Sequence, residues 1–541
     1  MRNRVVHEQT IRDREDFIKS IDPGVICSLA SSYHDKRPCR IFKTATHGSF
    51  NVCLFVEFDP VPAGGGLERW VIRIPFPKRV PWVDEKIETE VATMMYVAEN
   101  TTIPIPQVRA WSYATESPIS LAFIIMDYVE GTTLDALEFC RSDMWGYRCG
   151  QRSRPLTRVY NQLADLYIQL RSLEFPRIGA LGLPTKESPG IAVRHRPMPI
   201  EVILQETEGL DPTVFFPQNT TFTTSTEYIG ALVKLANNQL SKSKDPDFDT
   251  RKRDARKVMF AYQQFSHYVN NYWIKGGCES NNGPFVLMHG DLSMHGNNLL
   301  WDQNLNLVAV LDWEWSYTVP QQCFVPPVWL TGFDPEPVFH LTYIGLPLYQ
   351  IEMTYFCQEI ARRADKYWPL SPLSKQWLAL DKWPHYLIVM ALLYPETIYD
   401  VWWHFLTYKL NGVNKRSVES MKRHNEKAAE LVDRYFEVSK PAQDLLQRKL
   451  SEQKHFDKEC DEYIDQNGGQ PRDCQCQSCQ KQREHFRVLR KLPSRSPLSN
   501  TMTTSDSFAS LDDSGADNSG LEQSGSNESA SATYGSPEPE T

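Results

Sequence analysis

The sequence has no apolar run of the roughly 18–20 residues that a membrane-spanning helix requires. Its richest apolar stretch, YLIVMALLY at residues 386–394, is short and is followed by Pro395, which is typical of a buried helix. The first residues mix Arg with Glu and Asp and contain no apolar core, which argues against a secretory signal and a simple mitochondrial transit peptide. We therefore expect a cytoplasmic protein that does not cross a membrane.

The sequence also has few cysteines and no excess of positive charge. The twelve cysteines are mostly scattered, so we expect reduced thiols in the absence of a secretory signal. The formal net charge of -9 arises mostly in residues 500–541, which contain eight acidic and no basic residues and leave 59 acidic against 58 basic residues elsewhere. A nearly neutral body of this kind does not indicate a nucleic acid as the main partner.

Composition and periodicity divide the chain into five segments. They are a polar, helical segment at 1–40, a strand-rich segment at 41–130, a helix-dominated segment at 131–455 with a less regular insertion at 184–254, a Cys-rich segment at 456–486 and an acidic, Ser-rich tail at 487–541. The tail has few large apolar residues and cannot bury enough surface to offset its ordering entropy. We therefore expect it to be disordered.

The strand-rich segment contains short alternating runs of apolar residues. Two such runs, at 42–58 and 68–76, are separated by a Gly-rich turn at 64–66, which predicts a hairpin connection. Residues 84–99 then carry apolar side chains at three- and four-residue steps, which predicts a helix. The run at 120–131 predicts a further strand.

The most informative stretch, at residues 286–315, reads VLMHGDLSMHGNNLLWDQNLNLVAVLDWEW. An apolar run places His289 and Asp291 just beyond a predicted strand, and a second strand ends at Asp312. In kinase-like phosphotransferases one carboxylate orients or deprotonates the acceptor hydroxyl, while an amide and a second carboxylate hold Mg²⁺. We therefore predict Asp291 and His289 as catalytic-loop residues, with His289 bracing the loop, and Asp312 as a metal ligand. Either motif alone would be an ordinary loop sequence, but their order and spacing favour the site.

On these residues the chain resembles the aminoglycoside phosphotransferase and choline kinase group, in which HGD stands where protein kinases have HRD. The resemblance covers roughly residues 40–410. It implies an α+β, two-lobed, protein-kinase-like fold with a small antiparallel-sheet N-terminal lobe and a large helical C-terminal lobe. It also implies ATP or GTP bound with Mg²⁺ between the lobes, and transfer of the γ-phosphate to a hydroxyl of a small molecule. Nothing in the sequence identifies that acceptor, because a fold does not fix its substrate.

The resemblance assigns roles to individual positions of the N-terminal lobe. The turn above the phosphates, where backbone N–H groups can face anionic oxygens, matches Gly48, Ser49, Phe50 and Asn51. Arg73 takes the place of the phosphate-gripping lysine, and its expected partner is Glu90 on the helix that follows. The alternatives are an ordinary hairpin turn and an Arg on the solvent face of an edge strand.

The same resemblance places a hinge between the lobes at Met126, Asp127, Tyr128 and Val129. Backbone groups of residues 127–129 are expected to meet the edge of the adenine. Because the backbone performs this recognition, the side chains carry little information, and Tyr128 is equally compatible with a place in the core.

One departure from the family's pattern concerns the metal-binding asparagine. The family places it five residues after the catalytic Asp, where this chain has Gly296, so the candidates are Asn297 and Asn298. Asn298 is favoured because Asn-Leu-Leu-Trp-Asp mirrors the family's Asn-x-Leu-x-Asp, with a bulge expected near Gly296. The displacement motivates an alternative function, a catalytically impaired pseudokinase that acts as a protein-interaction module. Docking of protein partners on the C-terminal tail is a separate hypothesis that is compatible with either function.

The Cys-rich segment offers a weaker candidate site for zinc. Its ligands would be Cys460, Cys474, Cys476 and Cys479. Free thiols are the favoured alternative, and a reversible disulfide is another.

Three tryptophans follow Asp312, at Trp313, Trp315 and Trp329. They either line an aromatic acceptor pocket that holds an alkylammonium by cation–π contact or belong to the core. The core interpretation is favoured, because large aromatic side chains are usually buried.

Overall fold

The structure is a computed structural model that describes residues 4–60, 67–137, 154–244, 254–274, 281–293, 296–331, 345–369, 371–380, 385–413 and 417–467. All of them belong to the unit formed by residues 1–482. The predicted Gly-rich turn at 64–66 and the tail at 487–541 lie outside the described residues, as do Cys474, Cys476 and Cys479 of the zinc hypothesis.

Helices occupy both ends of the described chain and most of its second half. The α-helices are α1 (Arg4–Ser20), α2 (Pro23–Ser32), α3 (Val83–Asn100), α4 (Arg154–Ser172), α5 (Ile200–Thr207), α6 (Ser225–Lys242), α7 (Ala255–Tyr268), α8 (Gly345–Tyr367), α9 (Leu373–Leu380), α10 (His385–Leu393), α11 (Ile398–Val401), α12 (Thr407–Leu410), α13 (Val418–Val438) and α14 (Lys440–Asn467). A turn of π-helix extends α7 over Val269–Trp273, and another joins α11 to α12 over Trp402–Leu406.

Strands dominate the N-terminal region and recur in short pieces around the predicted catalytic loop. They are β1 (Cys39–His47), β2 (Asn51–Phe58), β3 (Arg69–Pro75), β4 (Val108–Ser112), β5 (Phe123–Asp127), β6 (Glu174–Phe175), β7 (Ala180–Gly182), β8 (Ala192–His195), β9 (Phe285–His289), β10 (Leu299–Trp301), β11 (Leu307–Val310) and β12 (Ser316–Pro320).

The first five strands form one antiparallel sheet in the order β1-β2-β3-β5-β4. Val52, Val56, Ile72 and Ile74 of its central strands are completely buried and pack with Ile26 and Leu29 of α2. Branched apolar side chains suit this position because they pack well on a pleated surface. The sheet and α2 thus form one apolar core, which holds the N-terminal lobe together.

Helix α3 lies at the junction of the two lobes. Asp84 and Glu85 in its first turn interact favourably with the positive end of the helix dipole. The helix contacts β4 and β5 of the sheet, and it also contacts β7 and the 3₁₀ turn at Trp313–Trp315 of the C-terminal lobe. Charged side chains on α3 can therefore reach both lobes.

Two strand pairings bring the predicted catalytic segments together. β9 pairs antiparallel with β12, which sets Ser316 opposite His289. β10 pairs with β11 as a hairpin, which sets Leu299 opposite Val310. The chain on both sides of Asp312 is thereby fixed next to the loop that carries Asp291.

The predicted α+β, two-lobed fold is confirmed in its small antiparallel sheet and its large helical region. The insertion at 184–254 is more regular than expected, because its described residues contain β8, α5 and α6. Helix α6 begins with a capping box formed by Thr224 and Glu227, in which each side chain bonds the other's backbone. The polar composition of residues 184–254 therefore did not predict their regular secondary structure.

In the described part of the chain, no helix has the length and apolarity needed to cross a membrane.

Candidate active site

Six buried or partly buried polar residues form one connected group at the junction of the lobes, which we call the ion network. Its members are Asn51, Arg73, Lys86, Glu90, Asp312 and Glu314. They come from β2, β3, α3 and the segment between β11 and β12. The network therefore connects the sheet and α3 of the N-terminal lobe to the C-terminal lobe.

Arg73 is the hub of the ion network. Its guanidinium forms an ion pair with Glu90 and lies 2.8 Å from Asp312 and 3.2 Å from Glu314. The side chain is only 6% exposed, so three carboxylates compensate for the cost of burying this cation. Burial alone would lower the pKa of Arg73, but these carboxylates outweigh it and raise the pKa well above its ordinary value.

Lys86 is the second cation of the network. Its Nζ atom lies 2.5 Å from Glu314 Oε2, donates to Asn51 Oδ1 at 2.8 Å, and lies 3.4 Å from Glu90 Oε2. The side chain is 1% exposed. Because Lys86 precedes Glu90 by one helical turn, α3 presents a cation and an anion on the same face.

The three carboxylates of the network have different protonation preferences. Desolvation raises the pKa of Glu90 and of Asp312, and the charge of Arg73 offsets only part of that rise. Burial alone would also raise the pKa of Glu314. The charges of Lys86 and Arg73 and a hydrogen bond from Asn51 outweigh burial there and lower the pKa of Glu314. Glu314 is therefore the carboxylate held most firmly in its ionised form.

Asp312 occupies the position expected of a metal ligand. It follows β11 in the left-handed backbone conformation (φ 63°), and its carboxylate is 34% exposed, more than those of Glu90 and Glu314. The Leu311 N–H donates to the backbone carbonyl of Asn298 at 2.8 Å, which places that asparagine beside Asp312. Carboxylate and amide oxygens are ligands that suit Mg²⁺.

His289 braces the catalytic loop. Its Nε2 atom lies 2.9 Å from the Leu311 carbonyl, and its Nδ1 atom accepts the Asp291 N–H at 3.3 Å. The imidazole packs on Trp313 with ring centroids 4.7 Å apart. Burial lowers the pKa of His289 to about 4, so the ring is neutral at physiological pH. These contacts suit a positioning role.

Gly290 allows the loop to lie close against the 3₁₀ turn that follows Asp312. Its N–H donates to the Trp315 carbonyl at 3.1 Å. A Cβ atom at residue 290 would lie 2.2 Å from that carbonyl oxygen, far inside the van der Waals limit. Only glycine fits at the centre of the HGD motif in this fold.

In the predicted catalytic loop, Asp291 is exposed to solvent and Asn298 is buried. Asp291 is exposed, and the buried Asn298 amide donates to the Asp291 carbonyl while its Oδ1 atom accepts the Ser293 N–H at 3.2 Å. Asn297 is exposed. Residues 294–295 lie outside the described part of the chain, so the expected bulge is described only at Gly296. Asn298 therefore braces the loop in addition to any role toward metal.

The predicted phosphate turn begins with two exposed residues and ends with two buried ones. Gly48 and Ser49 are exposed, and the Gly48 N–H donates to the Asn51 carbonyl at 3.0 Å. Phe50 is buried, and its ring lies 4.9 Å from the Trp315 ring. The Asn51 side chain donates to Glu314 at 2.9 Å. The side chains of Phe50 and Asn51 thus hold the turn against the C-terminal lobe.

The predicted hinge runs out of β5. The Asp127 N–H donates to the Gln107 carbonyl and the Tyr128 N–H to the Arg69 carbonyl, so both are used within the sheet. Tyr128 packs edge-on against Phe42 and Phe55. Met126 is buried, whereas Asp127 binds Arg109 through two hydrogen bonds.

The tryptophans after Asp312 belong to the core. Trp313 and Trp315 are 1% exposed, and Trp329 is also buried, which agrees with the favoured interpretation. Cys460, the one described member of the zinc hypothesis, is buried on α14. Among the described residues, no group of three or more His, Cys, Asp or Glu side chains is placed to hold a metal ion.

Two members of the ion network were not predicted from the sequence. Lys86 lies four residues before Glu90, and Glu314 lies two residues after Asp312. The available signals were helical spacing on a helix with a predicted inward face, and a charged residue between two tryptophans in Asp-Trp-Glu-Trp. Neither signal identifies a network member until it is known which side chains of α3 face the 3₁₀ turn at Trp313–Trp315.

Solved structures to which the chain is similar include two antibiotic phosphotransferases. One is a thermostable mutant of aminoglycoside phosphotransferase APH(4)-Ia in a ternary complex with AMP-PNP and hygromycin B, at 15% identity and a TM-score of 0.37, covering 75% of this chain and 98% of that one. The other is spectinomycin phosphotransferase APH(9)-Ia with ADP and spectinomycin, at 13% identity and a TM-score of 0.28, covering 70% and 99%.

Curated relatives come from fungi. The chain is 25% identical over 255 residues to clavilactone A biosynthesis cluster protein Y of Ampulloclitocybe clavipes, which covers 47% of this chain and 55% of the relative. It is 29% identical over 118 residues to a subtelomeric hrmA-associated cluster protein of Aspergillus fumigatus, which covers 20% of each. The chain thus spans about half the length of the first relative and about a fifth of the second.

A family model matches the part of the chain that contains most of the site. Residues 61–318 match the model described as "Phosphotransferase enzyme family" (APH). The matched segment contains Arg73 and Glu90 of the N-terminal lobe as well as Asp291 and Asp312 of the C-terminal lobe. Just under half of the chain is therefore similar to the phosphotransferase enzyme family.

Proposed function

We propose that the chain is an ATP- or GTP- and Mg²⁺-dependent phosphotransferase that transfers the γ-phosphate to a hydroxyl group of a small molecule. The observation that carries this proposal is the position of Arg73, whose guanidinium contacts Glu90 on α3 and Asp312 beyond β11. Phosphoryl transfer depends mainly on positioned charge. A buried cation next to the partly exposed carboxylate of Asp312 provides such charge, and the family match supports the same type of reaction.

The nucleotide would lie between the sheet and the catalytic loop. Arg73 would contact phosphate oxygens with its planar fork, which can bind two oxygens at once. The exposed backbone at Gly48 and Ser49 would cover the phosphates. Because the N–H groups of Asp127 and Tyr128 are used within the sheet, adenine recognition would fall to the Val129 N–H and the carbonyls of residues 127–129.

Asp312 and Asn298 are the residues that fit Mg²⁺. Both side chains offer hard oxygen ligands, and the Leu311 N–H links the Asn298 backbone to the residue before Asp312. Mg²⁺ in phosphotransferases usually keeps several waters and needs only one or two protein carboxylates. When bound, the ion would neutralise negative charge on the phosphates. Asn297, which is exposed, is the less favoured alternative to Asn298.

Asp291 is the group that would meet the acceptor. It is exposed, its N–H is fixed by His289, and its carbonyl is fixed by Asn298. Its carboxylate can therefore orient an incoming hydroxyl and accept its proton while the backbone stays in place.

One observation favours a second candidate function, a nucleotide-binding pseudokinase that acts as an interaction module. The nitrogen and the oxygen of the Asn298 side-chain amide both form hydrogen bonds within the predicted catalytic loop. If these bonds persist, Asp312 would be the main protein ligand for a metal. Weak metal binding would slow transfer without preventing nucleotide binding. The family match and the exposed Asp291 favour the enzyme.

Calorimetric titration with ATP and with GTP, each with Mg²⁺ and with EDTA, tests the proposal. We expect binding that requires Mg²⁺ in the wild-type chain and is lost in Asp312→Ala. Asp444→Ala on α14 is the matched control, because that carboxylate is 63% exposed and pairs with Lys440 one turn away. Absence of binding of either nucleotide to folded wild-type protein contradicts the proposal. Binding without phosphate transfer to any hydroxyl acceptor would support the pseudokinase.

A further inference from the structure

Lys86, Asn51 and Glu314 form a closed triangle inside the ion network. Lys86 donates to Asn51 Oδ1 at 2.8 Å, Asn51 Nδ2 donates to Glu314 Oε2 at 2.9 Å, and Lys86 Nζ lies 2.5 Å from the same Glu314 oxygen. All three side chains are at least nine-tenths buried. The amide of Asn51 is oriented by its partners, with its oxygen toward the cation and its nitrogen toward the anion.

Each corner of this triangle belongs to a different part of the proposed nucleotide site. Asn51 ends the turn assigned to the phosphates, and Lys86 shares α3 with Glu90. Glu314 lies two residues beyond Asp312, in the 3₁₀ turn that Asp312 precedes. A single ammonium group therefore fixes the phosphate turn relative to the segment that carries the metal-ligand candidate.

The charge of Lys86 also sets the charge of the network. Arg73 and Lys86 face three carboxylates, Glu90, Asp312 and Glu314, so the formal network charge is one negative. Without Lys86 it would be two negative, in a buried environment where charges interact more strongly than in water. A polyphosphate would meet more repulsion there, whereas a divalent cation would meet more attraction.

A role in packing alone does not explain why residue 86 carries a charge. Helix α3 buries apolar side chains such as Ile87, Val91 and Met94 as well as Lys86, so burial on this helix does not itself require a charge. A buried ammonium group costs free energy unless it is paired, and here it is paired with two carboxylates and an amide.

We propose that Lys86 is a positioning residue of the nucleotide site, which holds Asn51 and Glu314 together and limits the negative charge that the phosphates meet. This inference rests on the proposed function and extends it to a residue that touches neither nucleotide nor acceptor. It predicts that loss of Lys86 weakens nucleotide binding more in the absence of Mg²⁺ than in its presence, because the metal compensates for the added negative charge.

The test measures the Kd for ATP in EDTA and in Mg²⁺ for the wild-type chain, Lys86→Met, Lys86→Arg and the double variant Lys86→Met with Glu314→Gln. Lys234→Met is the matched control, because it removes an exposed lysine from α6. We expect Lys86→Met to raise the metal-free Kd by roughly tenfold and the Kd in Mg²⁺ by less. Lys86→Arg should lie between that variant and the wild type, and Lys234→Met should match the wild type.

The double variant separates charge from structure. Removing the charge of Glu314 restores the network to one negative charge, so its metal-free Kd should return to within about threefold of the wild-type value. A purely structural role for Lys86 predicts equal losses with and without Mg²⁺ and no recovery in the double variant. Either result overturns the inference.

The same measurements also cover a Lys86→Met variant that does not fold and a wild-type chain that binds no nucleotide. If Lys86→Met does not fold, Glu314→Gln alone carries the test, since it lowers the negative charge and should tighten metal-free ATP binding by roughly threefold. Unchanged or weaker binding would then overturn the inference. If the folded wild-type chain binds no nucleotide, the proposed function itself fails. If Lys86→Met binds ATP with the wild-type Kd both in EDTA and in Mg²⁺, only the proposed role of Lys86 is overturned.

Discussion

The two halves of the candidate site are built in different ways. On the proposed nucleotide side, Arg73, Lys86 and Glu90 are almost completely buried and each has two or three charged partners. On the acceptor side, Asp291 is exposed, and its place is fixed by backbone contacts to His289 and Asn298. Under the proposed function, the protein would fix the charges that the phosphates meet, and it would place Asp291 at the surface, where a hydroxyl group can reach it.

This difference has an energetic consequence. Removal of one member of a buried ion network leaves another charge without its partner, which costs both stability and function. Removal of an exposed carboxylate costs little stability. Mutations on the nucleotide side should therefore affect stability and binding together, and mutations of Asp291 should affect only turnover.

The largest effect is expected from Arg73→Met. The substitution leaves Glu90, Asp312 and Glu314 with Lys86 as their only cation in the network, and a broken buried pair costs about 3–5 kcal/mol. Urea unfolding should show this loss, and calorimetry should show no nucleotide binding in protein that remains folded. Arg109→Met is the control, because its pair with Asp127 is about one-third exposed, and loss of such a pair costs at most about 1 kcal/mol. Equal losses in the two variants would contradict the comparison.

Asp291→Asn should reduce turnover without affecting stability. We expect slow hydrolysis of ATP, with water as the acceptor, to fall by about 10²–10⁴-fold, as is usual for loss of a general base. The Kd for nucleotide and the urea midpoint should stay at wild-type values, because the side chain is exposed. A drop in nucleotide affinity as large as that of Arg73→Met would show that the two halves are not separate.

The pH dependence of stability should report on His289. Its pKa in the folded chain is lowered from 6.5 to about 4, so the unfolded chain takes up a proton first as the pH falls. The stabilisation from the neutral ring is therefore complete above pH 6.5 and is lost as the pH falls toward about 4, by up to about 3 kcal/mol.

Chemical unfolding of the wild type and of His289→Gln over this pH range checks that sign. The variant should lose this part of the pH dependence, whereas His47→Gln, which removes an exposed imidazole, should retain it. A wild-type stability that rises on acidification through this window would show that His289 is charged in the fold.

The smallest effect expected is that of added bulk in the HGD loop. Gly290→Ala forces a Cβ atom against the Trp315 carbonyl and should lower the free energy of unfolding by about 1–3 kcal/mol. Gly48→Ala is a matched control, because a Cβ atom there meets nothing within 4 Å. Its stability should stay within about 0.5 kcal/mol of the wild type. Equal stability of the two variants would place the catalytic loop away from β12.

The sequence predicted the parts of the site that a single local pattern specifies. The family resemblance assigned Arg73 to the position of the phosphate-gripping lysine with Glu90 as its expected partner, and the structure places Glu90 beside it. The roles of Asp291 and Asp312 were inferred from their places just beyond strands. The structure brings these residues to one junction, although their chemical roles stay predictions.

What the sequence did not reveal depends on contacts between distant segments. The charge of Lys86 has meaning only because α3 faces Glu314, which lies more than 200 residues away in the chain. The same holds for Asn51, whose amide contacts the C-terminal lobe and not the turn that it ends. Strand β4 was also missed, because it is short and follows Pro104 and Pro106.

The most direct test of the account is a crystal structure of the wild-type chain with Mg²⁺ and a non-hydrolysable ATP analogue. We expect phosphate oxygens within hydrogen-bond distance of the Arg73 guanidinium, Mg²⁺ at Asp312, and the adenine edge at the backbone of Val129. The γ-phosphate should face the carboxylate of Asp291. An analogue bound elsewhere, or bound between the lobes without contact to Arg73 and Asp312, would contradict the central claim that the ion network prepares the nucleotide site.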